Sequence, residues 1–262
     1  MDLRDFEPAR PQRRLSADAG RPPGLAHRLL FACVITQLGV MSLVWNFVAP
    51  LLELVLPKAS AGRLGRSAVS FIYRCCWATA ETFGLMRIDA SALDVLRDEP
   101  GGLIVAANHP TMLDALVVVA RLPRGVCVMK AELLRNIFLG SGARLARYIR
   151  NDVGRGMVRD AVATLREGNQ LVLFPEGTRT VGASVNAFKP GIALISHLAE
   201  VPIQTVLIES DSPYLTKGWP LLEAPPVPVR ITLRLGRRFA PEADHRAQLR
   251  RLEIYFAEEL RR

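Results

Sequence analysis

The segment Asn108-His109-Pro110-Thr111-Met112-Leu113-Asp114 follows the apolar run LIVAAN at 103–108. Pro110 keeps the residue before it extended. Asp114 then falls one turn into the helix that the following apolar residues predict. A carboxylate at that place reaches back to an imidazole nitrogen of His109. It fixes the tautomer and stabilises the imidazolium once the ring takes a proton. A histidine held this way works as a general base. The arrangement is the base and orienter of a catalytic triad, with a substrate hydroxyl in place of the nucleophile. The spacing alone also fits a strand-end histidine followed by a helix-capping aspartate.

A second polar segment, Phe174-Pro175-Glu176-Gly177-Thr178-Arg179-Thr180, follows the apolar run QLVLF at 170–174. Gly177 permits a positive φ or a close backbone approach. Arg179 offers a planar fork for phosphate or carboxylate oxygens. Glu176 is suited to accept from substrate hydroxyls or to tether Arg179. The bland reading is a solvated turn. Two polar clusters at strand ends of one α/β sheet favour a shared site, because sites in such sheets form where strands end.

The remaining reactive side chains form no such pattern. Cys33, Cys75, Cys76 and Cys127 show no CxxC spacing, so neither a disulfide framework nor a zinc site is expected. Cys127 falls in an apolar run with no adjacent base, which argues against a thiol nucleophile. His27, His197 and His245 are scattered, and no metal site is expected.

The elements that must position the two clusters alternate along the chain. Strands are expected at 103–108, 125–130, 147–151, 170–174, 203–209 and 229–236. Helices are expected at 111–120, 131–147, 155–167, 191–200 and 242–261. Alternation of this kind predicts an α/β domain, a mixed and largely parallel central sheet flanked by helices. That domain is placed at 85–262.

Two helices are expected ahead of it, at 29–84. The run from Leu29 to Leu52 holds no charged residue and is long enough to cross a bilayer or to lie in one leaflet. Thr36, Gln37, Ser42 and Asn46 make it a mediocre span. Residues 63–83 place Arg63, Arg66 and Arg74 on one stripe and Leu64, Phe71, Ile72 and Phe83 on another, which suits a bilayer surface. Residues 1–28 lack apolar periodicity and read as a flexible tail.

Composition sets limits. The chain has 262 residues, half of them hydrophobic, and a net charge of +9. Its mean hydropathy is +0.18. A disordered or fibrous chain is excluded. A basic surface suits anionic partners: phosphate headgroups, an anionic bilayer or an acidic carrier protein. Nucleic acid is not expected, since no recognised motif appears and aromatic residues make up 6%.

NHPTMLD followed by FPEGTRT resembles the glycerolipid acyltransferase superfamily, the PlsC-like group that includes 1-acylglycerol-3-phosphate acyltransferases. The resemblance covers about residues 85–240. It implies that His109 is the general base, that Asp114 orients it, and that Glu176, Gly177, Thr178 and Arg179 bind the acceptor, with Arg179 on a phosphate. Lys130, Glu132 and Leu133 resemble the start of a further family block, with Arg150 its matching arginine, and Lys189-Pro190-Gly191 resembles a later turn. Thr205 stands where the family's last block has a second proline, and Asn136 where the middle block often has one.

The activity so implied is acyl transfer from an acyl carrier protein or coenzyme A thioester to the hydroxyl of a lysophospholipid, with no cofactor beyond that co-substrate. The backbone N–H groups near 110–113 are expected to hold the oxyanion. The implied setting is the cytoplasmic face of the inner membrane, against anionic lipid. A softer likeness, in RLPRGVCVMKAELLRNIFL, is to acyltransferases of aryl-polyene pathways, which implies an unusual acyl chain. A thioester or lipid hydrolase is the remaining catalytic alternative.

Overall fold

The computed structural model describes residues 23–152, 154–182 and 184–261. Two long helices come first, α1 (Leu25–Val55) and α2 (Lys58–Thr82). The α/β domain follows: β1 (Met86–Asp89), β2 (Leu103–Ala107), α3 (Asp114–Arg121), β3 (Gly125–Met129), α4 (Gly140–Leu145), β4 (Ile149–Arg150), α5 (Arg155–Arg166), β5 (Gln170–Leu173), α6 (Gly191–Ala199), β6 (Ile203–Ser210), β7 (Val229–Phe239) and α7 (His245–Glu259).

The seven strands lie in the order β1-β7-β6-β2-β5-β3-β4. Strands β6, β2, β5, β3 and β4 run in one direction, and β7 and β1 run against them. The expected mixed, largely parallel sheet is therefore present. Strand β2 is buried at every position, as a central parallel strand covered on both faces must be. One face packs under α1, α2 and α3 through Val69, Ile72, Val105 and Val118. The other packs under α5, α6 and α7 through Leu165, Ile195, Leu252 and Phe256.

Several expectations need correction. The helix at 131–147 is a short 3₁₀ turn at Ala131–Arg135, then α4. Asn136 between them is extended, with φ −71° and ψ 132°. Strand β1 was not foreseen; four residues with one buried position carry too little pattern. The tail placed at 1–28 lies outside the described residues as far as residue 22, and from Leu25 the chain is helical.

Arg66 does not belong to a surface stripe. It is buried and donates to the Ala146 carbonyl at 3.4 Å and to Asn169 Oδ1 at 3.0 Å. Burial pulls its pKa below the usual guanidinium value. Arg63 and Arg74 are exposed. Of the apolar stripe, Leu64, Phe71 and Phe83 face outward while Ile72 is buried, and Gly65, Val69, Tyr73 and Cys76 face in. The reason is close backbone packing. A Cβ at Gly65 would sit 2.6 Å from the Ala146 nitrogen.

Helix α1 lies lengthwise on the domain. Phe31 meets Tyr214 edge-to-face with ring centroids 5.7 Å apart. Farther along, Asn46 Oδ1 accepts from the Ser141 and Gly142 nitrogens at 2.6 and 3.4 Å. Ala49 then packs with Ala61 and Leu145. The polar residues Ser42 and Asn46 thus face the protein. Leu29, Val40, Val44, Phe47, Leu51 and Leu54 face away from it.

Candidate functional site

Parallel strands bring the two polar clusters together. Ala106 of β2 pairs with Leu173 of β5, so His109 and Glu176 emerge side by side, each three residues farther on. Glu176 closes the junction. Its Oε1 accepts from the His109 nitrogen at 3.0 Å and from Thr180 Oγ1 at 2.7 Å; its Oε2 accepts from the Asn186 nitrogen at 2.8 Å. The Thr180 nitrogen donates back to the His109 carbonyl at 2.7 Å. Asn108 does the same on the other side of β2, exchanging two 2.8 Å bonds with the backbone of Ile208.

Asp114 stands at the first turn of α3. Its Oδ2 lies 2.9 Å from His109 Nδ1 and accepts from the Thr111 nitrogen at 2.7 Å. Its Oδ1 accepts from Thr111 Oγ1 at 2.6 Å. The carboxyl is only 1% exposed. Burial pushes its pKa above the ordinary carboxylate value, and the bonds from His109 and Thr111 pull against that rise. The imidazole is 19% exposed and lies tilted on the Phe174 ring, with centroids 4.3 Å apart. With Nδ1 committed to Asp114, Nε2 is the nitrogen left for a proton from outside.

The other expected site residues divide. Gly177 adopts φ +69°, and its bare Cα lies under the Lys189 side chain, which a Cβ would meet at 3.3 Å. The Lys189 nitrogen donates to the Pro175 carbonyl at 2.7 Å, so the later turn folds back on this loop. Arg179 Nη1 donates to the carbonyls of Leu215 and Thr216, each at 3.0 Å, and among the described residues the rest of the fork is uncommitted. Thr178 is half-buried in the same loop.

Two expectations are corrected here. Glu176 is 1% exposed and spends both oxygens on the protein, so it neither meets an acceptor hydroxyl nor tethers Arg179. Arg150 pairs with Asp152 at 2.8 Å on the edge strand β4. That strand lies three places from β2 in the sheet. At about 4.8 Å per strand the offset is roughly 14 Å.

The backbone donors near His109 are also spent. The Thr111, Met112 and Leu113 nitrogens donate to Asp114 Oδ2, the Leu215 carbonyl and Thr111 Oγ1. The first backbone bond of α3 runs from Val117 to Leu113. The N–H groups of Asp114, Ala115 and Leu116 are therefore the helix-terminal donors without a backbone acceptor among the described residues.

Sequence reasoning missed Asn108, Thr111, Asn186 and Phe174 as supports. Thr111 had a local signal, a hydroxyl three positions before the aspartate. Asn186 had none, since it reaches the site only through a return of the loop.

An apolar cavity of about 110 Å³ begins one residue past Asp114. It is lined by Trp45 of α1, Tyr73 of α2, Leu116 of α3, Cys127 of β3 and Tyr148. Thr205, where the family's proline is absent, stands in β6 with its hydroxyl on the Arg237 carbonyl at 2.8 Å. His197 and His245 stack 6.5 Å apart, away from the site's loops. Among the described residues no group of three or more His, Cys, Asp or Glu side chains is placed to hold a metal ion.

A family model described as Acyltransferase matches residues 87–209, a span holding both polar clusters. Over 110 residues the chain is 36% identical to a 1-acyl-sn-glycerol-3-phosphate acyltransferase of Limnanthes alba, covering 38% of this chain and 39% of that one. Over this span the chain is similar to the PlsC-like acyltransferases. Over 123 residues it is also 33% identical to the human 1-acyl-sn-glycerol-3-phosphate acyltransferase alpha, covering 44% of this chain and 43% of that one. The matched segment thus spans about two fifths of the length of these relatives. The crystal structure of PlsC from Thermotoga maritima, a 1-acyl-sn-glycerophosphate acyltransferase, superposes with a TM-score of 0.67 at 18% identity, over 89% of this chain and 93% of that one. That likeness is one of fold and takes in most of the chain.

Proposed function

We propose that this protein transfers a fatty acyl group from a thioester, on acyl carrier protein or coenzyme A, to the free hydroxyl of a lysophospholipid such as 1-acylglycerol-3-phosphate. One observation carries the reading. His109 is fixed through Nδ1 by a buried carboxylate, beside a loop that offers the free part of the Arg179 fork.

The acceptor hydroxyl gives its proton to His109 Nε2 as its oxygen bonds to the thioester carbonyl carbon. Asp114 stabilises the imidazolium that forms. The N–H groups of Ala115 and Leu116, at the start of α3, are the donors for the oxyanion. Collapse of the tetrahedral adduct breaks the C–S bond, and the departing sulfur takes the proton from Nε2. The remaining N–H donors of Arg179 and the exposed ammonium of Lys189 hold the acceptor phosphate. The donor's chain follows the apolar cavity past Leu116, between α1, α2 and α3. No metal or further cofactor enters the scheme.

The relatives named for lysophosphatidate acylation support the acceptor class. The bilayer is the place for such a substrate, and α1 supplies the contact. Helix α1 is long and apolar enough to span a membrane by length and composition. Its inner face is docked on the domain from Phe31 to Ala49, however. Immersion in one leaflet, with the outward leucines in hydrocarbon and Arg63 and Arg74 toward anionic headgroups, satisfies both facts. The cytoplasmic face of the inner membrane is the side where thioester donors are made.

The test is a product assay with purified protein, lysophosphatidate in mixed micelles and each thioester in turn. Phosphatidate should form with at least one donor. His109→Ala should lower kcat by about 10²–10⁴-fold with unchanged folding by circular dichroism. Free fatty acid in place of phosphatidate, unaffected by added acceptor, would make the protein a hydrolase.

A further inference from the structure

A second opening lies nearer the N-terminus of α1 than the donor cavity. Between the N-terminal half of α1 and the connection from β6 to β7 runs a cleft of about 740 Å³, lined by Phe31, Ala32, Ile35, Thr36, Trp219 and Leu222. Its size is that of a small-molecule site. Arg28 and Glu223 also line it, one on each side, and large apolar side chains near both rims stand out from the protein. Leu25 and Leu29 are 75% and 60% exposed on one side, and Leu221 and Leu222 are 50% and 75% exposed on the other. Single exposed leucines are ordinary. Leu222 lines the cleft and the other three lie within two residues in sequence of residues that do, so its surroundings are lipid-compatible.

Behind the cleft stands Tyr214, whose neighbour in sequence braces the acceptor side of the catalytic site. Phe31 and Trp219 each pack edge-on against Tyr214, at 5.7 and 6.2 Å between centroids. The next residue, Leu215, is 2% exposed and adopts φ +57°, a left-handed backbone that leucine rarely takes. That conformation aims its carbonyl at two groups at once, the Met112 nitrogen and Arg179 Nη1, each at 3.0 Å. Strain kept at a buried position beside a site is there to place something. Here it joins the histidine loop, the arginine loop and the back of the cleft.

We propose that the cleft binds the hydrocarbon chain the acceptor already carries, so that its phosphate meets Arg179 and its hydroxyl meets His109. This deepens the acyltransferase reading and rests on it. The two chains then reach the reacting atoms from opposite ends of the loop 109–114. The donor's lies past Leu116, and the acceptor's lies past Met112 and Leu215. They need not cross, and the acceptor enters from the face where α1 and the turn at 217–223 touch lipid.

The test fills the cleft from its exposed wall. Ala32→Trp and Thr36→Trp change residues whose side chains face outward on α1. With one thioester donor, palmitoyl and hexanoyl lysophosphatidate are compared as acceptors. The expected result is an acceptor KM raised by about tenfold or more for the palmitoyl substrate only, with donor KM and vesicle flotation as in wild type. Equal changes for both acceptors, no change for either, or a parallel loss of vesicle flotation would overturn the proposal.

A binding readout keeps the cleft separate from the chemistry. A lysophosphatidate with a diazirine at its chain end should, on irradiation, label peptides holding residues 31–36 and 219–222 in wild type and not in the variants. Label confined to other segments overturns the cleft. Label in the cleft of a protein that forms no phosphatidate would overturn the transferase reading and leave the cleft standing.

Discussion

The strand-end junction and the helical layer above it are built on different physics. At the junction two buried carboxylates, Asp114 and Glu176, each accept three hydrogen bonds, those to Asp114 from His109 and Thr111 and those to Glu176 from His109, Thr180 and Asn186. In the layer formed by α1 and α2, contact is made by shape. The Trp45 indole lies where a Cβ on Gly142 would stand, and Gly65 rests on the backbone of residues 145 and 146. Buried donors there go unpaired among the described residues, including Trp45 Nε1, Trp77 Nε1 and Arg66 Nε. Polar junctions admit one arrangement, because any shift leaves a buried charge without its donors. Apolar layers slide at smaller cost. The reacting groups sit on the first kind of structure, and the lipid-facing walls belong to the second.

Glu176→Gln breaks the junction most directly. The amide keeps the volume but puts an NH₂ where a carboxylate oxygen accepts from the protein. Hydrogen bonds to a charged group contribute about 1.5–3 kcal/mol. Losing one and opposing a donor should lower stability by about 2–4 kcal/mol. Since the His109 nitrogen is among the donors, kcat should fall by about tenfold or more, as a small misplacement of a catalytic group does. Thermal melts and turnover measured on one preparation check both. A melt within a degree of wild type with full turnover would show that the carboxylate does not hold the junction.

Gly65→Ala probes the layer. The new Cβ meets the Ala146 backbone nitrogen at 2.6 Å, so α2 must move away from α4. Overpacking of this kind costs about 1–3 kcal/mol. Turnover should change less than for Glu176→Gln, because α2 carries no group that touches His109. A kcat loss equal to that of Glu176→Gln would erase the distinction between the two regions.

The junction was legible in sequence as a pair of strand-end clusters because a parallel sheet puts its strand ends in one place. Register then set His109 beside Glu176. The role of Glu176 was not legible. A carboxylate in a loop reads as a ligand for substrate, and it takes the His109 nitrogen together with Thr180 and Asn186 to fill its oxygens. Arg150 was misplaced for a related reason: a strand's membership in the sheet is readable, but its distance from the centre depends on strand order. In the layer, periodicity placed both helices yet put Arg66 on the exposed stripe of α2. Glycines at 62 and 65 carry no hydropathy signal, although they mark the closest approach. Arg66, charged in the sequence, goes inward because it lies next to them.

The cysteines sharpen the comparison at the smallest scale. Cys127 lines the donor cavity under the layer, and burial pushes its thiol up to about 12. Cys76 of α2, also buried, is pushed up to about 11. A raised thiol pKa keeps the sulfur protonated, so neither residue supplies thiolate at pH 8, and neither should be reached by raising the pH to 9. Cys33 is exposed and Cys75 half-buried. Iodoacetamide at pH 8 should therefore alkylate the native protein at Cys33 and more slowly at Cys75, leaving Cys76 and Cys127 until denaturant is added, with turnover retained. Peptide mass spectrometry reads the four sites separately. Alkylation of Cys127 in the folded protein would mean that α1 and α2 lift from the sheet on the timescale of labelling. If that labelling also abolished turnover while an acyl thioester protected the residue, sulfur chemistry at Cys127 would displace the histidine mechanism.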